Sequence, residues 1–372
     1  MRIGLVCPYN MTKGGGVQEC VRALQLGLTK KGHYVKIITP LPRENNIEDE
    51  PSIIYIGRAR DFKSPFATVG QISASLNSKT LEEVLELEQF DILHFHEPWV
   101  PIVSRQILTR STAKNIATFH AKLPDTMMSK TIEKVITPYT KSIMKYLDGL
   151  TAVSDAAAEY VTSLTDESIQ IIPNGIDLSM FKVTNKQRGS TDKTILYIGR
   201  LERRKGVKHL IKAFYELSII DDRVRLVIAG DGPDRTKLEQ FVEMYELQSR
   251  VSFAGYVNEQ EKCRLLGEAD VFCSPALYGE SFGIVLLEAL AQQIPIVAGN
   301  NPGYVAVMQE LGEVSIVNPK DTEEFGRRLH LLLHNKELRK IWKQWAASYV
   351  KQFDYDKVVT DYEQYYKRIL KS

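Results

Sequence analysis

The chain is poor in cysteine and has no long apolar run. Cys7, Cys20, Cys263 and Cys273 are its only four cysteines. They show no CxxC pair and no metal-type spacing, so the simplest reading is reduced thiols in a cytosolic protein, without zinc. No stretch of about 18 apolar residues occurs, and Met1 is followed at once by a strand-like RIGLVCP, so neither a membrane span nor a signal peptide is predicted. Charge of one sign is missing too: 48 lysines and arginines stand against 46 acids, a net +2, which removes any global electrostatic case for nucleic acid. Gly14, Gly15 and Gly16 do not make a GxGxxG fingerprint, and no DxD triplet lies in a suitable loop. We therefore expect neither a dinucleotide cofactor nor a catalytic metal, and a location in the cytoplasm or at the inner membrane face.

What is present is a repeated strand–helix rhythm. With 372 residues and 44% hydrophobic content, the chain can bury about two cores, which predicts two lobes. Residues 3–8 read as a strand, 10–16 as a glycine-rich loop, and 17–30 as a helix with Val17, Val21, Leu24 and Leu28 on one side. That loop fits a bare turn or an approach for substrate phosphate equally well. Residues 34–39 and 52–56 read as strands. The segment 57–71 has no clean period and reads as a long loop of the kind that lines a binding cleft.

Two β-rich runs, DILHFH at 91–96 and IATFH at 116–120, deliver His94, His96 and His120 to the carboxyl edge of a parallel sheet, where open α/β folds bind ligands. Residues 128–147 have helical spacing with Lys130, Lys134, Lys141 and Lys145 between the apolar positions. Pro138 should break or kink that helix. It reads as a core-packing helix with a solvated lysine face, or as a basic membrane-facing surface. Residues 182–193 are polar and lack periodicity, which places an interdomain linker there. The rhythm then restarts with a strand at 194–199, a loop carrying Arg200, Arg203, Arg204 and Lys205, and a helix from Val207. Four cations at a strand's carboxyl end read as an anion site, with a merely solvated surface as the alternative.

The stretch GESFGIVLLE at 279–288 follows an apolar strand at 269–275. Gly279 lets the backbone approach a ligand, Ser281 can cap, and the amides of Ser281, Phe282 and Gly283 begin a helix whose positive end favours an anion such as a diphosphate. Glu280 and Glu288 would lie a little over two helical turns apart on one face. Leu286, Leu287, Ala289 and Leu290 surround Glu288, so its carboxylate is costly there unless partnered. Eight helical residues span roughly 12 Å along the axis. The two acids therefore read as binders of two ends of one ligand, not as an acid and base pair.

RIGLVCPYN with GGVQ, HEP, ATFH, AVSD, IPNGID, GR with RKG, AGDGP and GESFGIVLLEA occur in this order. Together with the E-x7-E pair they resemble the retaining GT-B glycosyltransferases of the large family that includes the phosphatidylinositol mannosyltransferases. The resemblance spans essentially the whole chain. It implies an α/β, GT-B fold of two Rossmann-like parallel-sheet domains facing a central cleft: an acceptor-binding domain at 1–182, a nucleotide-sugar-binding domain at 183–350, and a C-terminal helix at 351–372 returning to the first domain. The implied reaction is retaining hexosyl transfer from a nucleotide sugar, GDP-mannose before a UDP-hexose, to a lipid or polyol phosphate acceptor. A synthase acting on a soluble sugar or sugar phosphate and a non-catalytic nucleotide-sugar sensor are the alternatives. The complete set of His120, Arg200, Lys205, Glu280 and Glu288 argues against the sensor.

By the same resemblance, His120, Arg200, Lys205 and Glu280 would be catalytic. Arg200 and Lys205 would hold the donor diphosphate, Glu288 the ribose, and Glu280 the donor sugar, with Gly15, Gly16, Ser281, Phe282, Gly283 and Ile284 completing the donor site. Tyr9, Gln18 and His120 would contact the acceptor. Two departures bear on that acceptor. Ala121 follows His120 where those enzymes tend to have a hydroxyl residue. Their lipid-anchoring basic cluster falls near residues 79–88, which here read KTLEEVLELE, an acidic face. Membrane contact is accordingly expected to be weak and peripheral.

Overall fold

A computed structural model describes residues 1–12, 15–42, 50–63, 69–74, 78–100, 103–121, 127–181 and 192–372. Gly14 of the glycine-rich loop and residues 182–191 of the expected linker lie outside them. The chain forms two compact units, Met1–Gly175 with Tyr355–Ser372, and Ile176–Asp354.

The first unit runs β1 (Arg2–Val6), α1 (Gly16–Lys30), β2 (Tyr34–Leu41), β3 (Ile53–Lys63), β4 (Val69–Ala74), α2 (Ser78–Glu88), β5 (Ile92–His96), α3 (Val103–Leu108), β6 (Lys114–Phe119), α4 (Met127–Met144), β7 (Gly149–Ala152), α5 (Asp155–Thr162) and β8 (Ile169–Ile171). The sheet order is β4-β3-β2-β1-β5-β6-β7-β8, parallel throughout except for β3 against β4. Ile3, Leu5 and Val6 are all buried, as are Ile92, Leu93 and Phe95. Both faces of these strands are covered, so they read as continuous apolar runs without alternation.

The second unit runs β9 (Lys193–Ile198), α6 (Val207–Ile220), β10 (Val224–Ala229), α7 (Arg235–Met244), β11 (Val251–Gly255), α8 (Glu259–Glu268), β12 (Val271–Ser274), α9 (Ile284–Ala291), β13 (Ile296–Gly299), α10 (Pro302–Val307), β14 (Ile316–Val317), α11 (Thr322–His334) and α12 (Lys336–Tyr349). Its order, β11-β10-β9-β12-β13-β14, is all parallel. On α6, Leu210, Ile211, Phe214 and Leu217 recur at helical spacing and are buried against the sheet, each contributing about 1.5–3 kcal/mol.

The last helix, α13 (Tyr355–Ile369), belongs to the first unit. Val358, Val359, Tyr362 and Tyr366 pack with Val21, Leu24 and Leu28 of α1 in one core. A Cβ at Gly27 would stand 2.6 Å from Val359, so the missing side chain on α1 is what lets α13 approach closely.

Two expectations are corrected. Residues 57–71 are not one long loop. β3 continues to Lys63 and pairs antiparallel with β4, from Arg58↔Ala74 to Lys63↔Val69. Such a ladder satisfies backbone groups without needing a hydrophobic period. Of the break or kink expected at Pro138, the break does not occur: α4 runs through it as one segment.

Both sheets reverse strand order once, between β1 and β5 and between β9 and β12. Those switch points are where an open parallel sheet leaves a crevice beyond its carboxyl ends. No described helix is long and apolar enough to cross a membrane.

Candidate active site

At the β9/β12 switch point two loops meet. The first, 199–206, ends in a 3-10 turn at Arg203–Lys205, and the second, 275–283, leads to α9. The Leu277 amide donates to the Arg204 carbonyl at 2.8 Å. Gly206 has φ 72°, and a Cβ there would lie 2.1 Å from the Pro275 carbonyl oxygen. Only glycine fits a left-handed position this close to another backbone. The cations of the first loop are thus fixed against the second.

The side chains form one charged cluster. The Glu280 carboxylate lies 2.6 Å from Arg204 Nη1 and 2.7 Å from Lys205 Nζ. Glu202 is buried and takes Arg204 Nε and Arg200 Nε, each at 3.0 Å. Burial opposes the charge on Arg204, but Glu280 and Glu202 outweigh it and hold the guanidinium above its usual range. Lys205 and Arg204 have little exposed surface, whereas the Arg200 side chain is 57% exposed. Arg204 and Glu202 were not singled out by sequence; the first was visible as one of four loop cations and the second gave no signal.

The helix after this loop starts later than expected. α9 begins at Ile284, its N-cap is Gly283 with φ 103°, and no side chain caps it. Ser281 therefore does not cap, and Glu280 to Gly283 precede the helix. A Cβ at Gly283 would meet the Tyr304 ring at 2.6 Å. The Tyr304 hydroxyl bonds Ser274 Oγ at 2.8 Å, and its amide donates to Asn301, whose side chain also holds the Ala276 carbonyl. Phe282 is buried and sits edge-on to Phe353 at 5.9 Å. A tight left-handed turn and packing, not a cap, end the loop.

Since Glu280 lies outside α9, the two acids do not share a helix face. Each has its own cation: Glu288, buried, accepts from Lys262 on α8 at 2.6 Å. Lys262 also pairs with Glu259 at 2.8 Å, and though burial works against it, these carboxylates hold its ammonium above the ordinary range. The partner that burial demands of Glu288 is thus Lys262, which sequence reasoning missed because it sits on another helix.

In the first unit the β1/β5 switch point gathers Tyr9, Gly15, Gly16, Gln18 and the histidines. Gly15 precedes α1, and its carbonyl accepts from the Glu19 amide at 2.9 Å. Gln18 Nε2 reaches the Asn10 carbonyl at 3.4 Å, and the Tyr9 carbonyl accepts from Thr39 Oγ1 at 2.8 Å. His94 lies between the Tyr366 hydroxyl of α13 at 2.7 Å and Thr118 at 2.6 Å, with the His96 ring 4.2 Å away. His96 Nδ1 and His120 Nε2 are 2.8 Å apart. Burial drives His94 and His120 down to about 3, the latter despite Asn174 beside it, and pushes His96 well down too. All three imidazoles are therefore neutral at pH 7.

Glu97, with φ 52°, accepts the His120 amide at 2.6 Å, and burial raises its carboxyl to about 8 although the His120 and Ala121 amides oppose this. It was visible in sequence only as the middle of HEP. It ties the end of β5 to the end of β6 and so fixes His120.

Residues 181–348 match the family described as Glycosyl transferases group 1, and residues 14–180 that described as Glycosyltransferase Family 4. The chain is 29% identical to a phosphatidyl-myo-inositol mannosyltransferase of Mycobacterium leprae, covering 100% of this chain and 98% of the relative. It is 30% identical to one of Propionibacterium freudenreichii, over 83% of this chain and 80% of the relative. Among solved structures it is similar to a sucrose-phosphate synthase from Thermosynechococcus elongatus, with TM-score 0.79 and 20% identity over 99% and 98% of the two chains.

Proposed function

Because this chain belongs to the glycosyltransferase family 4-like enzymes, the large family that includes the phosphatidyl-myo-inositol mannosyltransferases, and is a GT-B glycosyltransferase, we propose that it moves a hexose from a nucleotide sugar to a lipid or polyol phosphate acceptor with retention of configuration. The observation that carries the reading is the cluster of Arg204 and Lys205 around Glu280 at the β9/β12 switch point. As the sugar–phosphate bond breaks, negative charge grows on the departing diphosphate, and prearranged cations stabilise that charge more than the ground state. An ammonium has three donors, so Lys205 can keep Glu280 and still donate to phosphate oxygens. Glu280 in this scheme is the anchor that aims both cations as well as a contact for the donor sugar.

Arg200, on its exposed side chain, reaches the same diphosphate, and Glu288, oriented by Lys262, takes the ribose hydroxyls. The amides of Ser281, Phe282, Gly283 and Ile284, with Gly15 and Gly16, line the donor. His120, neutral and held by Glu97 and His96, contacts the sugar being transferred, and Tyr9 and Gln18 contact the acceptor. Loop cations supply the charge stabilisation, so the reaction needs no divalent ion in this scheme. Mannose and a phosphatidylinositol-like acceptor are preferred on the names of the relatives, and GDP as the carrier of the mannose is the reading that the family resemblance favours. The exposed acids of α2, Glu82, Glu83 and Glu86, favour a soluble sugar or sugar phosphate as the second acceptor reading.

Thermal unfolding with GDP-, UDP- and ADP-sugars tests the donor. A ligand at 100 times its dissociation constant stabilises by about 2.7 kcal/mol, so one nucleotide should stand out. No shift with any of them would overturn the donor assignment.

A further inference from the structure

Cys20 on the second turn of α1, His96 at the end of β5 and His120 just beyond β6 converge at the β1/β5 switch point. One ligand atom from each, the Cys20 sulfur and a ring nitrogen of each histidine, lies within 4.8 Å of the others. All three residues are buried, at 4%, 0% and 7% exposure. His96 Nε2 is in addition buried without a hydrogen-bond partner, a costly state for a polar atom. Nothing in the sequence pointed here, since Cys20 lies far along the chain from both histidines and no motif spacing links them.

A thiolate with two neutral imidazoles is the donor set of a tetrahedral, borderline-soft cation, and three protein ligands leave the fourth position for water. We propose that Cys20, His96 and His120 form an inhibitory site for divalent cations of the zinc class. On binding, the Cys20 thiol releases its proton to solvent and a sulfur–metal bond forms. Each imidazole gives one nitrogen lone pair: the ring that now holds its proton between His96 Nδ1 and His120 Nε2 shifts it to its other ring nitrogen, and the other ring already carries its proton there. Nothing is oxidised or reduced. The nitrogens of His96 and His120, now 2.8 Å apart, spread by a few tenths of an ångström to accommodate the ion.

Binding of the ion needs only these three side chains. Its inhibitory effect rests on the reading that His120 contacts the transferred sugar, because an imidazole committed to a metal is lost to the substrate. Cys20 has no part in that reading, so its replacement leaves metal-free turnover unchanged.

Cobalt(II) is the optical probe. Metal-stripped full-length enzyme titrated with cobalt should bind one ion with a thiolate-to-cobalt charge-transfer band in the near ultraviolet, and zinc should abolish that band by displacement. Cys20→Ala, with Cys20→Ser as a second variant should alanine disturb the fold, should lose the band. Zinc affinity should fall by at least about 100-fold, the upper end of what even outer-shell changes cost. Cys263→Ser, which alters a thiol outside the cluster, should keep both. Zinc should inhibit wild type reversibly by EDTA and leave Cys20→Ala active. A missing band, or one that survives in Cys20→Ala, overturns the site. A normal band with turnover unaffected by zinc upholds the site and overturns the inhibitory role together with the assignment of His120.

Discussion

Methionine at position 205 keeps the lysine stem as far as Cε and deletes one cation from the cluster around Glu280. The Glu280 carboxylate retains Arg204 at 2.6 Å, so it is not stranded, and the largely buried ammonium takes its own desolvation cost away with it. The stability cost should stay at about 1 kcal/mol or less. The kinetic cost should be larger. A hydrogen bond to a charged group contributes about 1.5–3 kcal/mol, which converts to roughly a 10- to 160-fold loss of rate. If the contact strengthens only as the diphosphate leaves, kcat and kcat/KM fall together; if it binds ground state and transition state alike, only KM rises. Arg200→Ala should also cost about tenfold or more, despite the exposure of that side chain. Initial rates of nucleoside diphosphate release over a range of donor concentrations, with thermal midpoints measured beside them, decide the matter. Wild-type kcat and KM in both variants, with the fold intact, would refute the reasoning.

Activity should persist in excess EDTA, because loop cations take the place of a divalent ion, and an absolute magnesium or manganese requirement would overturn that. Stability of the first unit should fall in acid: His94, His96 and His120 are depressed by burial, so their contribution is present above the unfolded value of 6.5 and is lost as pH falls toward about 3. Glu97, raised to about 8, works oppositely, its contribution being present below 4.5 and lost as pH rises through 8. Between about pH 6 and 4.5 the cluster therefore takes up about two net protons on unfolding, worth about 2.7 kcal/mol per pH unit, and Glu97→Gln should steepen the loss. Amide exchange of β5 and β6 at several pH values checks this, and protection that does not weaken toward pH 5 would contradict it. Lys134, Lys141 and Lys145 are exposed, at about 1 kcal/mol each near an anionic surface, so sedimentation with anionic vesicles should show weak binding that vanishes at about 0.5 M salt. Binding that survives would mean an inserted apolar surface.

The fold was legible wherever burial imposes a period. Strands β1, β5, β9 and β12 are covered on both faces and stand in the sequence as apolar runs, and α1 and α6 show their buried stripes at three- and four-residue spacing. The failures have a common cause. β4 is an edge strand held by backbone pairing to β3, and a backbone ladder leaves little trace in side-chain order. Of the break or kink expected at Pro138, the break is absent for a different reason: a proline withholds only one hydrogen bond, and the helix continues on both sides of it.

At the site, sequence displays residue types and conceals pairings. A basic loop, two glutamates and three strand-end histidines were all visible, but pairing Glu288 with Lys262 requires knowing that α8 and α9 lie side by side, and convergence of Cys20 with His120 requires knowing the strand order. The expected shared face of Glu280 and Glu288 failed because Gly283 sits at φ 103° and starts the helix late. That late start has a chemical consequence. Ahead of the helix, Glu280 is a loop residue whose position is set by the contact of Gly303 with its carbonyl, where a Cβ would come within 2.2 Å. Alanine at Gly303 should therefore displace Glu280, and with it Arg204 and Lys205, while leaving every charge in place. A fall in turnover comparable to that of Lys205→Met, in a protein whose net charge is unaltered, would separate the geometry of the cluster from its charge. Unchanged turnover would show that the cations do not depend on this anchor.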